Sequence, residues 1–518
     1  MHILTLSSST KQSDEHFRTD HLLSDLKRRS IRGVAVTLGA QALKFFIGLG
    51  ATIILARLLS VKDYGMLAMV GVITGFVGLL RDGGLGIATV QGAAINSEQI
   101  STLFWINATL GVVLAVIVAA ISPVVAWFYN DSELLAVTVA MAVPFILGGL
   151  TVQHQALLQR QMRFKTISGI EIANVVISAG VGIGAATAGW GYWSLVIMSI
   201  SYGLVNSILV LWLCPWRPNR PAFGSGVREM LKFGGVLTLN NLFDCLGGSV
   251  DKLLLGKFYT ADSLGLYTRA QALMLQPLTQ LMPAVQNVML PAMSRLMENP
   301  KQFRIVFLEM LQMGAFACSF MAAFLVVNAD WLIGVLLGPK WGEATDILRL
   351  LAGPAFFIPI GALCLTSLTA QSKSNEIMLW GMLKNIIIVI AVLLGLPWGV
   401  TGVAASLSIT AVLLLFPILN YFTAKAGPAT LKEIWFVIGV GVGLCLAACA
   451  AMFFLRYVLG LHSPFLGLLF MFLVNSMFHA AAMWLIPSGR KAIENLMSLA
   501  SCFRTTRSQT TGATQLGK

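Results

Sequence analysis

Charge is what this 518-residue sequence has little of. Asp, Glu, Lys and Arg together make up 11% of it, against 57% hydrophobic residues. A soluble domain is roughly 25% charged, so too few charges are present to cover a water-facing surface. Acid is scarcer than base, 22 residues against 35, which leaves a net charge of +13. Cysteine is sparse as well. Cys214, Cys245, Cys318, Cys364, Cys445 and Cys449 lie in or at the edge of apolar stretches, and Cys502 stands in the C-terminal tail. None has metal-ligand spacing, and Cys445 and Cys449, four apart, read as small packing residues. No metal site and no cofactor is expected. The first 32 residues are polar and rich in Lys and Arg, and they lack the apolar core and small-residue cleavage site of a signal peptide.

What is present is a series of long uncharged runs. Ile434 to Leu455 carries no charge, and 26 uncharged residues separate Glu133 from Arg160. Two runs, of 45 residues between Glu171 and Arg217 and of 40 between Lys384 and Lys425, are too long for one crossing. A spanning helix takes about 20 residues, so each run fits two. Each also holds a turn signal, Gly189-Trp190-Gly191 in the first and Pro397-Trp398-Gly399 in the second. The expected class is all-α, a polytopic membrane protein of about fourteen transmembrane helices. The spans fall near 33–56, 65–90, 101–128, 133–158, 168–187, 190–214, 233–255, 263–290, 305–329, 345–370, 376–396, 399–422, 434–456 and 465–486.

The Lys and Arg residues sort unevenly between these spans. With the N-terminus inside, cytoplasmic segments hold 24 of the 35; Arg57, Lys62, Lys257, Lys340 and Arg456 fall outside or at the outer edge. The positive-inside rule then puts both termini in the cytoplasm of a bacterial inner-membrane protein. The basic excess needs no nucleic-acid partner. Trp127, Trp212, Trp331, Trp435 and Trp484 fall at span ends, where an interfacial belt places them.

Residues 54–67 align without a gap to 254–267: apolar, small, basic, two large residues, Ser or Thr, a short loop, then Gly. A second match, at an offset of 211, sets Asn174 on Asn385 and Gly191 on Gly402. The offset spans six helices. An even number keeps both copies in one orientation, so two parallel six-helix bundles are expected, related by an axis along the membrane normal and suited to alternating access. The division is a cytoplasmic tail at 1–32, a six-helix bundle at 33–214, a cytoplasmic linker at 215–232, a second bundle at 233–424, two additional helices at 433–486 and a cytoplasmic tail at 487–518. Residues 1–20 and 503–518 are expected to be disordered.

The stretch Leu55-Ala-Arg-Leu-Leu-Ser-Val-Lys-Asp-Tyr-Gly65, followed by Arg81-Asp-Gly-Gly-Leu-Gly-Ile-Ala-Thr-Val-Gln91, resembles the opening of the Wzx-type polysaccharide flippases. So do Leu157-Leu-Gln-Arg-Gln-Met-Arg-Phe-Lys165 and Val288-Met-Leu-Pro-Ala-Met-Ser-Arg-Leu296. These are members of the multidrug/oligosaccharidyl-lipid/polysaccharide exporter superfamily, and the nearest branch resembles the colanic-acid and succinoglycan exporters. The resemblance covers about residues 30–425. It implies two six-helix bundles and two further helices. It also implies translocation of an undecaprenyl-diphosphate-linked oligosaccharide repeat unit for exopolysaccharide or lipopolysaccharide assembly. The implied partners are the lipid-linked oligosaccharide and membrane lipids, with the polymerase and chain-length regulator of the pathway as candidates.

A diphosphate headgroup crossing hydrocarbon calls for cations inside the spans, where each costs roughly 2.5–3.5 kcal/mol on insertion scales. The candidates are Lys44, Arg81, Arg269 and Lys384. Arg81 and Lys384 count to the cytoplasmic half, Lys44 near the middle and Arg269 to the outer third. Arg349 and Lys252 also lie in spans but can snorkel outward, and Arg81 can pair with Asp82. Asp82, Glu171 and Asp244 are candidates for proton or sodium coupling, or for gating. Lys44 and Asp244 occupy equivalent repeat positions, so a pair that forms in one state and parts in another is one reading. Asp82-Gly83-Gly84-Leu85-Gly86 lacks the strand unit of a phosphate loop, and its glycines read as helix packing or a kink. His154 and His479 read as core. Catalysis is not expected, because the longest outer loop, 330–344, offers Asp330, Lys340 and Glu343 without a nucleophile and base. A multidrug exporter, a flippase for the peptidoglycan precursor and a membrane polymerase, ligase or acyltransferase are the alternatives.

Overall fold

The computed structural model describes residues 26–92, 95–222, 226–460 and 463–485. The disorder expected at 1–20 and 503–518 concerns residues outside that set, as does the tail at 487–518. Every regular element among the described residues is helical. In chain order they are α1 (Leu26–Leu58), α2 (Val61–Asp82), α3 (Leu85–Gln91), α4 (Ser97–Tyr129), α5 (Glu133–Ala140), α6 (Val143–Arg160), α7 (Phe164–Thr187), α8 (Trp193–Leu213), α9 (Arg228–Phe258), α10 (Ala261–Ser294), α11 (Pro300–Leu336), α12 (Ala344–Ala370), α13 (Ser374–Gly395), α14 (Gly399–Thr410), α15 (Phe416–Ala426), α16 (Leu431–Leu459) and α17 (Pro464–Leu485).

Among the described residues, eleven helices are long and apolar enough to cross a membrane, against the fourteen expected. One of the eleven, Ser374–Ala426, has 53 residues. At about 1.5 Å per residue it would be more than twice as long as a ~30 Å hydrocarbon core is thick. It breaks at the short turn Leu396–Trp398, where Gly399 has φ +75°, at the Pro397-Trp398-Gly399 signal, and is long enough for two crossings. Gly189 and Gly191, with φ +81° and +52°, turn the other long run between α7 and α8. The helices α9 and α10, at 31 and 34 residues, have the length of spans as well.

The chain divides into two compact units. The first runs to Arg269 and takes in Ile388–Val403; the second holds Ala270–Ile387 and the chain from Ala404 on. In the first, α7 lies between α1 and α8, α6 packs against α3, α4 and α8, and α9 packs against α2. In the second, α11 is central and packs on α12, α16 and α17. Its core gathers Phe307, Leu311, Phe356, Ile360, Phe416 and Ile438. The two helices outside the repeat are therefore part of this unit's core. Ala448, Met452 and Met471 pack with Val327 and Trp331 of α11.

Helix starts carry their own signals. Ser60 and Asp63, Asn96 and Gln99, and Thr430 and Glu433 form reciprocal capping boxes, each cap worth about 1 kcal/mol. The repeat is visible at this scale. Ser60 Oγ accepts from Asp63 N, and at the equivalent position Thr260 Oγ1 accepts from Ser263 N. The helices that follow cross by their equivalent glycines. A Cβ on Gly65 would lie 1.7 Å from the Ala261 carbonyl oxygen, and one on Gly265 would lie 2.3 Å from that of Val61. Each glycine thus rests on the first turn of the other copy, a reciprocal contact that a local two-fold relation generates.

The helix that begins at Val61 stops at Asp82. Gly83 and Gly84, at φ +56° and +68°, turn the chain, and α3 restarts at Leu85. This is the kink read from the sequence. It also admits α9, because a Cβ on Gly84 would lie 2.6 Å from Gly234 Cα, and one on Gly234 would lie 2.2 Å from Gly83 O. Gly234→Ala is therefore expected to lower the melting temperature of the detergent-purified protein, since overpacking of this kind costs about 1–3 kcal/mol. Gly235→Ala, with nothing within 4 Å of the added carbon, should leave the melting temperature unchanged.

Residues 214–222 are held along α4 rather than loose. Asn219 N donates to Ser101 Oγ at 3.0 Å, Ala222 N to Thr102 Oγ1 at 3.1 Å, and Trp105 Nε1 to Asn219 O at 2.9 Å.

Candidate functional site

Three of the four candidate cations lie in the first unit. Lys44 stands on α1, 14 residues before its end at Leu58, which is about 21 Å of helix rise. Its ammonium donates to Glu171 Oε2 at 2.6 Å, and the two side chains are 21% and 38% exposed. The structure thus joins a candidate for headgroup binding to a candidate for coupling. Lys44 has Glu171 as its partner, whereas the sequence offered Asp244, whose side chain lies outside the described residues.

Glu171 also lines a cavity of about 90 Å³ with Gln155, Gln159 and Asn206. Asn206 Oδ1 accepts from Gln155 Nε2 at 3.2 Å and from Asn174 Nδ2 at 3.0 Å. Asn174 Oδ1 is buried with no hydrogen-bond partner among the described residues. Four helices, α1, α6, α7 and α8, therefore meet at a polar point inside an apolar bundle.

Arg81 sits in the last turn of α2. No ion pair forms between it and Asp82: the Asp82 carboxylate accepts from Gly86 N at 2.9 Å and caps α3. Arg81 lies against Gly148 of α6, where a Cβ would come within 2.6 Å of it. Its Nε is buried with no hydrogen-bond partner among the described residues. A buried, unsatisfied guanidinium donor is costly, about 1–3 kcal/mol or more for a charged group, so a functional acceptor is worth seeking there. The carbonyls of Arg81 and Asp82 both receive Asn107 Nδ2. Asn107 in turn accepts from Gln153, and Gln153 accepts from Thr89. Arg160 closes the far end of α3 by donating to the Thr89, Val90 and Gly92 carbonyls.

Arg269, on α10, sets its guanidinium 4.3 Å from the centre of the Tyr64 ring, beside the Gly65 crossing. Its Nε is also buried without a hydrogen-bond partner among the described residues. Cation–π contacts are worth about 0.5–2 kcal/mol, the larger values when desolvated. In the same region Asp251, 5% exposed, accepts from Tyr267 Oη at 2.7 Å. That carboxylate is tied into the α9–α10 hairpin.

Lys384 lies on α13, within the second unit, and is half-buried. In that unit Arg456 pairs with Asp330, donates to Val327 O at 2.9 Å and lies 3.8 Å over the Trp331 ring. Val327 precedes the non-helical residue Asn328 in α11, so the guanidinium satisfies a carbonyl at the kink. Arg349 pairs with Asp330 at 3.5 Å and Asp346 at 3.6 Å, a surface pairing consistent with snorkelling. His154 is fully buried against Phe104 and Trp216. His479 Nε2 meets Ser319 Oγ at 2.9 Å, and its Nδ1 lies 3.0 Å from Asn475 O, which requires a proton on Nδ1. Both histidines belong to helix packing.

Sequence reasoning passed over Tyr64 and the amides Gln155, Asn174 and Asn206 as site residues. The available signal was polarity itself. An amide inside an apolar span must find a partner, and several on neighbouring helices imply that they find one another. Among the described residues no group of three or more His, Cys, Asp and Glu could hold a metal ion.

Residues 54–346 match the family model described as "Polysaccharide biosynthesis protein". The chain is 29% identical over 339 residues to the teichuronic acid biosynthesis protein TuaB of Bacillus subtilis (strain 168), covering 64% of this chain and 68% of that one. It is 24% identical over 402 residues to the lipopolysaccharide biosynthesis protein WzxC of Escherichia coli (strain K12), covering 76% and 80%. Among solved structures, the lipid II flippase MurJ in an inward closed conformation aligns with a TM-score of 0.68 at 12% identity, over 86% of this chain and 97% of that one. An inward-facing multidrug resistance MATE family transporter aligns at 0.56 and 14%, over 76% and 98%. The fold is theirs.

Proposed function

Because the chain belongs to the polysaccharide biosynthesis protein family, we propose that it translocates a polyprenyl-diphosphate-linked oligosaccharide across the bacterial inner membrane by alternating access. The protein is a multi-pass membrane protein with the MurJ and MATE fold. The observation that carries the substrate class is Arg81. A half-buried arginine whose Nε is buried with no hydrogen-bond partner among the described residues suits an anion that comes and goes. Arginine meets phosphate bidentately and lysine meets it as a point charge. Within the first unit the diphosphate would meet Arg81 first, then Lys44 and then Arg269 as it moves outward; Lys384, in the second unit, is a separate candidate contact. Lys44 already has an ion-pair partner in Glu171 and Arg269 a ring partner in Tyr64, so the reading leans most on Arg81.

In this reading the chain is a transporter and not an enzyme, with proton or sodium coupling at Asp82, Glu171 or Asp244. Both termini are cytoplasmic. Its working partners are the lipid-linked oligosaccharide, membrane lipids, and the polymerase and chain-length regulator of the pathway. Two experiments test this. Cysteine labelling should reach 57–64, 257–262 and 330–344 from outside and 159–167, 215–232, 425–432 and 487–518 from inside; a periplasmic C-terminus would overturn the topology. The gene should also restore polysaccharide export to a flippase-deficient strain supplied with the matching glycosyltransferases. Failure there, with the protein present in the membrane, would overturn the function.

A further inference from the structure

We infer that Glu171 is a built-in stand-in for the substrate's diphosphate, that carboxylate and diphosphate exchange on the Lys44 ammonium, and that the displaced carboxylate takes up a proton. The inference rests on the headgroup reading given above and deepens it.

The geometry is that of a held cation. Lys44 Nζ lies 2.6 Å from Glu171 Oε2. An ammonium engaged at that distance offers a diphosphate little until the carboxylate lets go. The surroundings say which ion makes it let go. The helices packed on α7 are α1, α6 and α8. The first presents Lys44, while α6 presents the neutral Gln155 and Gln159 and α8 the neutral Asn206. On α7 itself the nearest charge is Lys165, six residues earlier. Glu171 is thus the one titratable group lining the 90 Å³ cavity among the described residues, and Lys44 is its one counter-charge there.

A sodium ion would need several oxygens and no ammonium close by, because like charges a few ångströms apart repel strongly away from bulk water. Here the ammonium occupies one carboxylate oxygen, and Asn206 Oδ1 already accepts two N–H groups. A proton meets no such obstacle. The bundle also holds an acceptor in reserve. Asn174 Oδ1, three residues on and therefore on the same helix face, is buried without a hydrogen-bond partner among the described residues. A carboxyl O–H on Glu171 is the donor that this face lacks. The step is an exchange. A proton from water adds to a Glu171 oxygen, the Lys44–Glu171 pair opens, and the ammonium passes to a phosphate oxygen. No covalent bond apart from O–H is made. Run in reverse, an ionised Glu171 displaces the headgroup, which a transporter needs in order to release what it carries.

The test uses the full-length protein in nanodiscs with undecaprenyl diphosphate as the probe. Its affinity is measured from pH 5.5 to 8, with and without sodium. At pH 8 Glu171→Gln should bind on the order of tenfold tighter than wild type, the effect of releasing one charge-assisted contact. The gap should narrow as the pH is lowered toward 5.5. Lys44→Ala should bind weakly. Glu171→Gln in the Lys44→Ala background should add nothing, because the carboxylate acts through the ammonium. In weakly buffered solution at pH 7.5, wild type should show net proton uptake as the ligand binds. That readout needs no variant, and binding to cations alone would drive protons off a diphosphate.

Three results would overturn the exchange while leaving the headgroup reading intact. Glu171→Gln could bind no tighter than wild type at pH 8. The same gain could persist without Lys44. Binding could require sodium with no proton taken up. Absence of undecaprenyl diphosphate binding by wild type at every pH would instead remove the headgroup reading, and the exchange with it.

Discussion

Gly65→Ala is expected to cut polysaccharide export to below about a tenth of wild type and to lower the melting temperature of the purified protein, and Gly265→Ala to do the same. The added carbon at Gly65 would lie 1.7 Å from the Ala261 carbonyl oxygen and at Gly265 2.3 Å from that of Val61. Real Cβ contacts do not come that close, and a backbone carbonyl in a first helical turn has no rotamer to retreat into. The two helices must separate. Because α10 carries Arg269 over the Tyr64 ring one turn beyond the contact, separation also moves a candidate site cation. The control is on the same helix. Gly71 and Gly75 have nothing within 4 Å of an added Cβ, so Gly71→Ala and Gly75→Ala should export normally. If Gly65→Ala behaved like Gly71→Ala in both melting and export, the reciprocal crossing would have no importance.

Lys44→Ala and Arg81→Ala should each reduce export roughly tenfold to a hundredfold at normal membrane levels. Each removes a charge-assisted contact worth about 1.5–3 kcal/mol. The conservative variants separate charge from geometry. Lys44→Arg keeps the ammonium's charge in reach of Glu171 and should retain most export. Arg81→Lys keeps charge but loses the bidentate fork, and should retain only part. Asp82→Asn should behave differently from both. The Asp82 carboxylate caps α3 through Gly86 N, and an asparagine side-chain oxygen can accept the same bond. Normal export by Lys44→Ala and Arg81→Ala together would return these cations to structural pairing.

Much of this architecture was legible in the sequence, for physical reasons that can be named. Long uncharged runs announce spans because burying charge in hydrocarbon is costly. Glycine and proline at 189–191 and 397–399 announced the hairpin turns because they interrupt helices, and the chain turns at both places. Gly83-Gly84 announced a kink in the same way. The repeat was legible as a row of matched residues, and what the row encodes is the reciprocal Gly65–Gly265 crossing. The partners of the site were not legible. Which of the three candidate acids meets Lys44 depends on how α1, α2, α7 and α9 are rotated about their axes, and apolar periodicity is weak when lipid and core are both apolar. Equivalence in the repeat pointed to Asp244, whose side chain lies outside the described residues, and gave no hint that packing also brings Glu171 to Lys44. The amides around Asn206 were visible as polar residues in apolar spans, but which of them pair was not legible, because pairing is a property of the fold. The family, too, was legible. The residues that carried the resemblance, 55–65, 81–91, 157–165 and 288–296, all fall inside the matched stretch 54–346.

The most direct test is translocation itself. Purified protein is reconstituted into liposomes that carry an undecaprenyl-diphosphate-linked oligosaccharide in both leaflets, and a membrane-impermeant oxidant of the sugar is added outside. Wild-type protein should expose the inner-leaflet pool to the oxidant within minutes, and the Lys44→Ala/Arg81→Ala double variant, at equal reconstitution, should leave it protected. An inner pool that stays protected with wild-type protein, or that is exposed equally by the double variant, would contradict the account.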